Sequence, residues 1–307
     1  MRCALPFTKM QALGNDFVFV DEEELASTPL GAQVSANLRQ RGAELARRVC
    51  DRHFGIGADG LIFVRTTKRP DCQLGWLYFN GDGSISDMCG NGLRCLALWA
   101  SENKRVSGKE FAIETAIGAV AVIFDGAHSI TTDLGEPALS SKLIPIAGSA
   151  QDKVVSQVMD IASKEIGSKR ISVTCVNMGN PHCVIFQSGL TDEEQRAIAP
   201  KLQLDPRFPE SVNVEFVTVN GRDDASVFVW ERGCGPTLAC ASGAAAVLVA
   251  GVLEGRLDRT AKITLPGGSL RVSWSAEDNR VRIEGPASVS YKGVFDLAEF
   301  LPEDCHK

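Results

Sequence analysis

No predominantly apolar run in this sequence reaches the roughly 20 residues that a membrane-spanning helix needs, and the N-terminus lacks the apolar core of a signal peptide. A cytoplasmic protein without membrane attachment is therefore expected. A basic field is missing too: 32 Lys and Arg stand against 38 Asp and Glu, for a net charge of −6, and the cations are scattered rather than clustered. With no surface suited to a phosphate backbone, nucleic acid is not an expected partner. Histidine is scarce, four in 307 residues, and no Cys-x-x-Cys pair occurs, which removes the usual spacings of zinc sites and thiol-redox motifs. The ten cysteines sit at irregular intervals in a chain too large to need disulfides, so most read as buried, reduced thiols acting as small hydrophobes.

What the chain does have is 44% hydrophobic and 23% charged residues, enough for one large or two medium globular domains. It also has an internal repeat. Leu13-Gly14-Asn15-Asp16-Phe17 is answered by Met178-Gly179-Asn180-Pro181-His182-Cys183, and Cys89-Gly90-Asn91-Gly92 by Cys240-Ala241-Ser242-Gly243. Gly118–Ile123 and Gly268–Trp274, both alternating and β-branched, begin 29 residues after Cys89 and 28 after Cys240. Three signals in one order argue for two similarly built domains, 1–145 carrying Cys89 and 146–307 carrying Cys240. The crossover is expected within Leu139–Ser172, and the extreme C-terminus is free to join the first half.

Strands are expected at Phe17–Val20, Leu61–Val64, Val184–Phe186, Val214–Val219 and Val227–Trp230, and helices at Ala43–Asp51, Leu93–Ser101, Val154–Lys164, Asp192–Leu202 and Ala244–Leu253. This mixture points to an α+β fold of mainly antiparallel strands around a helix in each half.

In each half an extended segment (Leu77–Asn80 or Val227–Glu231) runs through Gly-containing turns to the cysteine and then into an apolar, helix-forming run. Cys89 and Cys240 should therefore stand at helix N-termini, where backbone N–H groups and the helix dipole favour a thiolate and can also hold a carboxylate. The small residues after each thiol, Gly90 and Gly92 or Ala241 and Gly243, let a ligand approach the backbone. Two opposed thiols with two such helix ends would suit a two-base racemase: one thiolate takes the α-proton, the other thiol returns a proton to the opposite face, and the helix ends stabilise the charge on the carboxylate.

The segments Leu13–Phe17, Arg52–Gly57, Phe79-Asn80 with Asp82-Gly83-Ser84, Cys89–Gly92, Met178–Val184, Glu231-Arg232-Gly233 and Leu265–Gly268 resemble, in order and over nearly the whole chain, the signatures of the diaminopimelate epimerase family. The resemblance implies two pseudo-symmetric domains, each a mixed, mainly antiparallel sheet curled around a central helix. It also implies interconversion of LL- and meso-2,6-diaminopimelate, in lysine and peptidoglycan precursor biosynthesis, with neither pyridoxal phosphate nor metal, and it leaves room for a homodimer. By position it makes Cys89 and Cys240 the acid–base pair. The backbone N–H groups of Gly90, Asn91, Ala241 and Ser242 would hold the reacting carboxylate, and Asn15, Asn80, Asn180, Asn213, Glu231 and Arg232 would be side-chain contacts. Arg232 could grip a distal carboxylate in a bidentate fork and Glu231 could pair with the ammonium of the reacting centre. His182 is either a tuner of the thiols or a structural hydrogen bonder.

Three positions depart from the family pattern: Ala241 stands where Gly is usual, Pro236 where Glu is common, and Gly60 where many members have Gln. Ala suits the first turn of a helix, so the anion site should survive. Other readings are a racemase of the same fold acting on another amino acid, a thiol-redox or metal module built on Cys89, Cys95, Cys183 and Cys240, and an interaction protein without activity.

Overall fold

Leu93–Ala100 and Ala244–Ala250 carry no polar face apart from Arg94, and a helix apolar on all sides must be enclosed. The structure, a computed structural model, describes residues 3–147, 152–163, 167–186 and 189–301. The chain forms two compact units, one running to Thr132 and resuming at Pro286, the other spanning Asp133–Gly285. Each encloses one of these helices, Gly90–Glu102 in the first and Ala241–Leu253 in the second, with every residue from Gly90 to Ala100 and from Gly243 to Gly251 buried.

In the first unit Ala4–Ala12 pairs antiparallel with Ser288–Asp296 on one side and Asn15–Asp21 on the other. The ladder continues parallel to Gly60–Arg65, antiparallel to Leu74–Asn80, parallel to Glu110–Thr115 and antiparallel to Gly118–Phe124. Phe17, Phe19, Ile62, Trp76, Ile113 and Val122 point inward onto Leu93, Leu96 and Trp99 of the enclosed helix. The opposite face of the same strands, through Val18, Val20, Leu61, Phe63 and Phe79, packs on the helices Pro29–Ala36 and Leu38–Val49.

The second unit repeats this order of pairings. Gly167–Asn177 pairs antiparallel with Gln157–Ser163 and with Pro181–Ile185. The ladder then runs parallel to Asn213–Gly221, antiparallel to Asp224–Glu231, parallel to Thr260–Leu265 and antiparallel to Gly268–Trp274. In both units a surface helix precedes the first parallel partner and the enclosed helix precedes the second. The α+β class, mainly antiparallel around a central helix, is the architecture found.

The expected strands lie inside observed ones, with Phe186 just beyond Pro181–Ile185. Four of the expected helices are present as Leu38–Val49, Gly90–Glu102, Asp192–Gln203 and Ala241–Leu253. The expected helix Val154–Lys164 is not one: Gln157–Ser163 is a strand, and Lys164 lies outside the described residues. Val154, Val158 and Ile161 fall at helical spacing, but Met159 and Ile161 are buried while Val158 and Asp160 face out, a period of two imposed by pairing with Gly167–Asn177. Among the described residues no helix is long and apolar enough to cross a membrane, and all nine described cysteines are free thiols.

Candidate active site

Each repeated cysteine is the N-cap of its enclosed helix. Cys89 and Cys240 both have extended backbone, and their sulfurs accept from the backbone N–H groups of Gly92 at 3.4 Å and Gly243 at 3.3 Å. A thiol thus takes the place of the usual Ser or Asp cap and satisfies one of the orphan donors of the first turn. The donors of the two preceding positions, Gly90 and Asn91 or Ala241 and Ser242, point outward from the helix start, as the geometry of any helix end requires. Ala241 is helical and buried, so its methyl group is compatible with that backbone.

In the first unit Cys89 is half-buried, and its thiol donates to Asn15 Oδ1 at 3.8 Å. The same oxygen accepts from Asn91 Nδ2 at 3.2 Å, and Asn91 Oδ1 accepts from Arg94 at 2.6 Å. Asn15 is held from its other end by Asp59, whose carboxylate takes its amide hydrogen at 2.7 Å. Arg52 bridges Asp59 and Asp16, and Lys9 pairs with Asp16 at 2.6 Å. These cations hold the Asp16 carboxyl below its usual range despite partial burial, which by itself raises it. Asn80 ends the strand Leu74–Asn80, with its amide donating to Ser84 Oγ at 2.9 Å in the turn that leads toward Cys89.

The second unit surrounds Cys240 with carboxylates. Burial, then Glu231 and Glu215, push its thiol well above the ordinary value, outweighing the opposing bonds from Ser242 and from the Gly243 N–H. Desolvation and the two nearby carboxylates thus oppose the thiolate that a helix end was expected to favour at this position. Glu231 is itself pushed up by desolvation and is hydrogen-bonded by the Thr237 hydroxyl and by the Cys240 thiol. His182, fully buried, sits between Glu215 Oε1 at 2.6 Å and Asn180 Oδ1 at 2.9 Å. Glu215 Oε1 lies so close to the helix start that a Cβ at Gly243 would meet it at 2.9 Å. Its second oxygen is buried without a hydrogen-bond partner.

Asn213 is buried, with its amide donating to Pro181 O at 3.1 Å and its carbonyl accepting from the Arg232 backbone N–H at 2.8 Å. Arg232 is exposed and its guanidinium donates to Glu210 O at 2.9 Å; no carboxylate among the described residues pairs with it. The structure thus gathers Asn15 and Asn91 at Cys89, and Glu231, Ser242, His182 and Asn180 in the neighbourhood of Cys240.

Two buried charged residues escaped the sequence reading. Glu215 interrupts the apolar run Val214–Val217 two residues after Asn213, and Arg94 interrupts Leu93–Ala100; a lone charge within an otherwise apolar stretch was the available signal. Gly60, uninterpretable from the sequence, has a reason here, since a Cβ would lie 2.3 Å from the Tyr78 ring. Nothing in the structure explains Pro236.

The sequence profile of the family described as diaminopimelate epimerase matches residues 7–140 and 174–289. Diaminopimelate epimerases of Rippkaea orientalis and Microcystis aeruginosa are 40% and 41% identical, the alignments covering 96% and 95% of this chain and 100% and 99% of theirs. Among solved structures, the fold is shared with a hydroxyproline epimerase from Agrobacterium vitis (TM-score 0.65, 14% identity, 96% of this chain and 94% of that one). A Bacillus anthracis phenazine biosynthesis protein of the PhzF family shares it as well (TM-score 0.64, 13% identity, 95% and 99%). With a profile match across both units and relatives alike over almost their full length, the chain belongs to the diaminopimelate epimerase family.

Proposed function

We propose that this protein is an isomerase that interconverts LL-2,6-diaminopimelate and meso-2,6-diaminopimelate, with Cys89 and Cys240 as its two bases and no pyridoxal phosphate or metal in the reaction. One observation carries the chemistry. Two units with the same order of strand pairings each present a cysteine as the N-cap of an enclosed helix, so each supplies an acid–base group beside outward-pointing backbone N–H groups. In the reaction one thiolate removes the α-proton, the electron pair left on carbon is delocalised into the carboxylate, and the other thiol gives its proton to the opposite face. The substrate leaves inverted, and the two sulfurs have exchanged roles. The first-turn N–H groups of Gly90, Asn91, Ala241 and Ser242 hold the carboxylate as its charge grows, where fixed dipoles act with little reorganisation.

The environment of Cys240 supports its starting as the protonated partner, since burial and Glu231 and Glu215 disfavour its anion. The guanidinium of Arg232 is suited to a distal carboxylate, with Asn213 fixing the backbone from which it projects. Glu231, whose carboxylate neighbours the Cys240 thiol, is the group we assign to the ammonium of the reacting centre, and His182 acts at one remove, through Glu215 and Asn180.

The test is deuterium incorporation at the α-carbon of LL-diaminopimelate in heavy water, with interconversion followed alongside. Wild type should exchange and epimerise without added cofactor and in the presence of a chelator. Cys89→Ala and Cys240→Ala should each abolish epimerisation, because neither proton carrier can be spared. Normal turnover in either variant would overturn the mechanism.

A further inference from the structure

We propose that Arg94 is a positioning residue for the first thiol: its buried guanidinium, acting behind the helix start and through the Asn91–Asn15 amide relay, stabilises the thiolate form of Cys89. This rests on the reading of Cys89 as one of the acid–base pair, and it names the group that sets that thiol's charge.

Arg94 is fully buried and is the largest of the enclosed side chains. An arginine in such a place ordinarily faces a carboxylate, because an unpaired charge out of water is costly. Here no carboxylate among the described residues pairs with it. Its donors go to three neutral oxygens: Gly90 O at 3.3 Å, Pro286 O at 3.3 Å and Asn91 Oδ1 at 2.6 Å. Those bonds engage each of the three guanidinium nitrogens and leave the charge unneutralised. Desolvation brings the guanidinium down to about 10, so it stays cationic at neutral pH. The groups that interact with it electrostatically are two thiols, Cys95 and Cys89. Cys95 is fully enclosed and burial pushes its thiol well up, so it remains neutral. Cys89, half-buried at the open end of the helix, is the one able to supply the missing negative charge.

The relay gives that charge a route. Arg94 polarises the Asn91 amide, the Asn91 N–H donates to Asn15 Oδ1, and that same oxygen receives the Cys89 S–H. Two donors thus converge on one acceptor, and the more strongly the polarised Asn91 N–H draws on Asn15 Oδ1, the less electron density that oxygen keeps to hold the thiol proton. A cation at one end favours loss of the proton at the other.

Other charged groups around this helix are paired among themselves. The strands beneath it bring Lys9 with Asp16, Asp21 with Arg105 and Arg65 with Glu22. Lys292 meets Glu102 at the far end of the helix, and Asp59, beyond Asn15, is matched by Arg52. Glu114 accepts from Thr67, and Asp296 caps the N–H groups of Cys3 and Ala298. Glu110 at the strand edge is exposed. Arg94 is thus the unmatched cation of this helix. The second unit places two carboxylates at the corresponding thiol, so the repeated cysteines stand in fields of opposite sign.

The experiment reads the charge on sulfur rather than turnover. Full-length protein is treated with iodoacetamide across pH 5–10, and the rate of modification of the Cys89 peptide is followed by mass spectrometry. In wild type the midpoint should fall below that of an ordinary thiol, about 8.5. Arg94→Met should raise it by at least one pH unit, which lowers labelling at neutral pH about tenfold, since each unit is a factor of ten in thiolate. Arg94→Lys, which keeps a cation, should retain most of the wild-type shift. A wild-type midpoint at or above an ordinary thiol's overturns the proposal whether or not the variants fold. So does an unchanged midpoint in Arg94→Met with a native circular dichroism spectrum. If Arg94→Met does not fold, Arg94→Lys decides: a midpoint raised as far as an ordinary thiol's counts against the cation's role. Failure of the epimerase reading looks different, because Cys89→Ala would then turn over normally whatever the alkylation midpoints show.

Discussion

Cys50 caps the C-terminal end of the helix Leu38–Val49, and burial pushes its thiol up to about 12 from an ordinary 9.0, with Asp16 and Asp59 adding to the rise. Below pH 9 both folded and unfolded chains keep that proton, and the stabilisation is complete. Between 9 and 12 the unfolded chain releases a proton that the folded chain retains, so stability falls as pH rises, by about 1.4 kcal/mol per pH unit for this thiol. Denaturant-derived stability should therefore decline more gently from pH 9 to pH 10.5 in Cys50→Ala than in wild type. Equal slopes would show that this thiol does not carry the effect. Cys50→Ala and Cys72→Ala should also keep most of the epimerase activity, in contrast to the loss expected in Cys89→Ala and Cys240→Ala. The four are all cysteines in one chain, and only the latter two are N-caps of the enclosed helices.

Elements constrain residues through contacts that cannot yield. Gly60 begins the strand Gly60–Arg65 opposite Asn80, and a side chain there would collide with the Tyr78 ring and approach Phe79 O to 2.7 Å. Tyr78 cannot swing aside freely, since it lies edge-on to Phe17 and beside Trp76, with ring centroids at 5.7 and 5.6 Å. Gly60→Ala should cost roughly 1–3 kcal/mol in a denaturant titration, the usual range for forcing extra volume into a packed core. Gly60→Gln should cost at least as much. A neutral Gly60→Ala would mean that the ring relocates. The same scale explains Gln157–Ser163. Its apolar residues fit either period, and the partner strand Gly167–Asn177 decided between them.

Which substrates are accepted is a property of the whole molecule. A site built to bind a second amino-acid centre leaves buried polar groups unpaired when that centre is incomplete, a defect that typically costs discrimination of roughly 10⁴-fold or more. Lysine, which lacks only the distal carboxylate, should be almost inert beside LL-diaminopimelate in kcat/KM. Arg232→Lys should be severely impaired on diaminopimelate although the charge is kept, because an ammonium cannot reproduce a planar bidentate fork. Comparable values for the two substrates would move the assignment to another amino acid and leave the two-thiol chemistry standing. Chemistry at the two faces of one carbon also requires both sulfurs near that carbon during turnover. Mild oxidation should thus inactivate by joining Cys89 to Cys240, reversibly with added thiol, and peptide mapping that places the disulfide elsewhere would contradict this.

The repeat of Cys89-Gly90-Asn91-Gly92 in Cys240-Ala241-Ser242-Gly243, the apolar runs after each, and the strand spacing that follows were enough by themselves to determine the α+β class, the enclosed helices and the cysteine N-caps. These are local properties, in which periodicity, small residues and capping chemistry act over a few positions. The family was legible for the same reason, since its signatures are short contiguous segments. What only the tertiary structure decided is the electrostatic character of each thiol. Glu215 reaches the Cys240 helix because Pro181–Ile185 lies parallel to Asn213–Gly221 and sets His182 beside it, and Arg94 has no carboxylate partner among the described residues because the charged groups on the strands around it pair with one another. Both facts depend on burial and on pairing between distant segments. A helix N-terminus looks the same in sequence whether a cation or two carboxylates are folded against it.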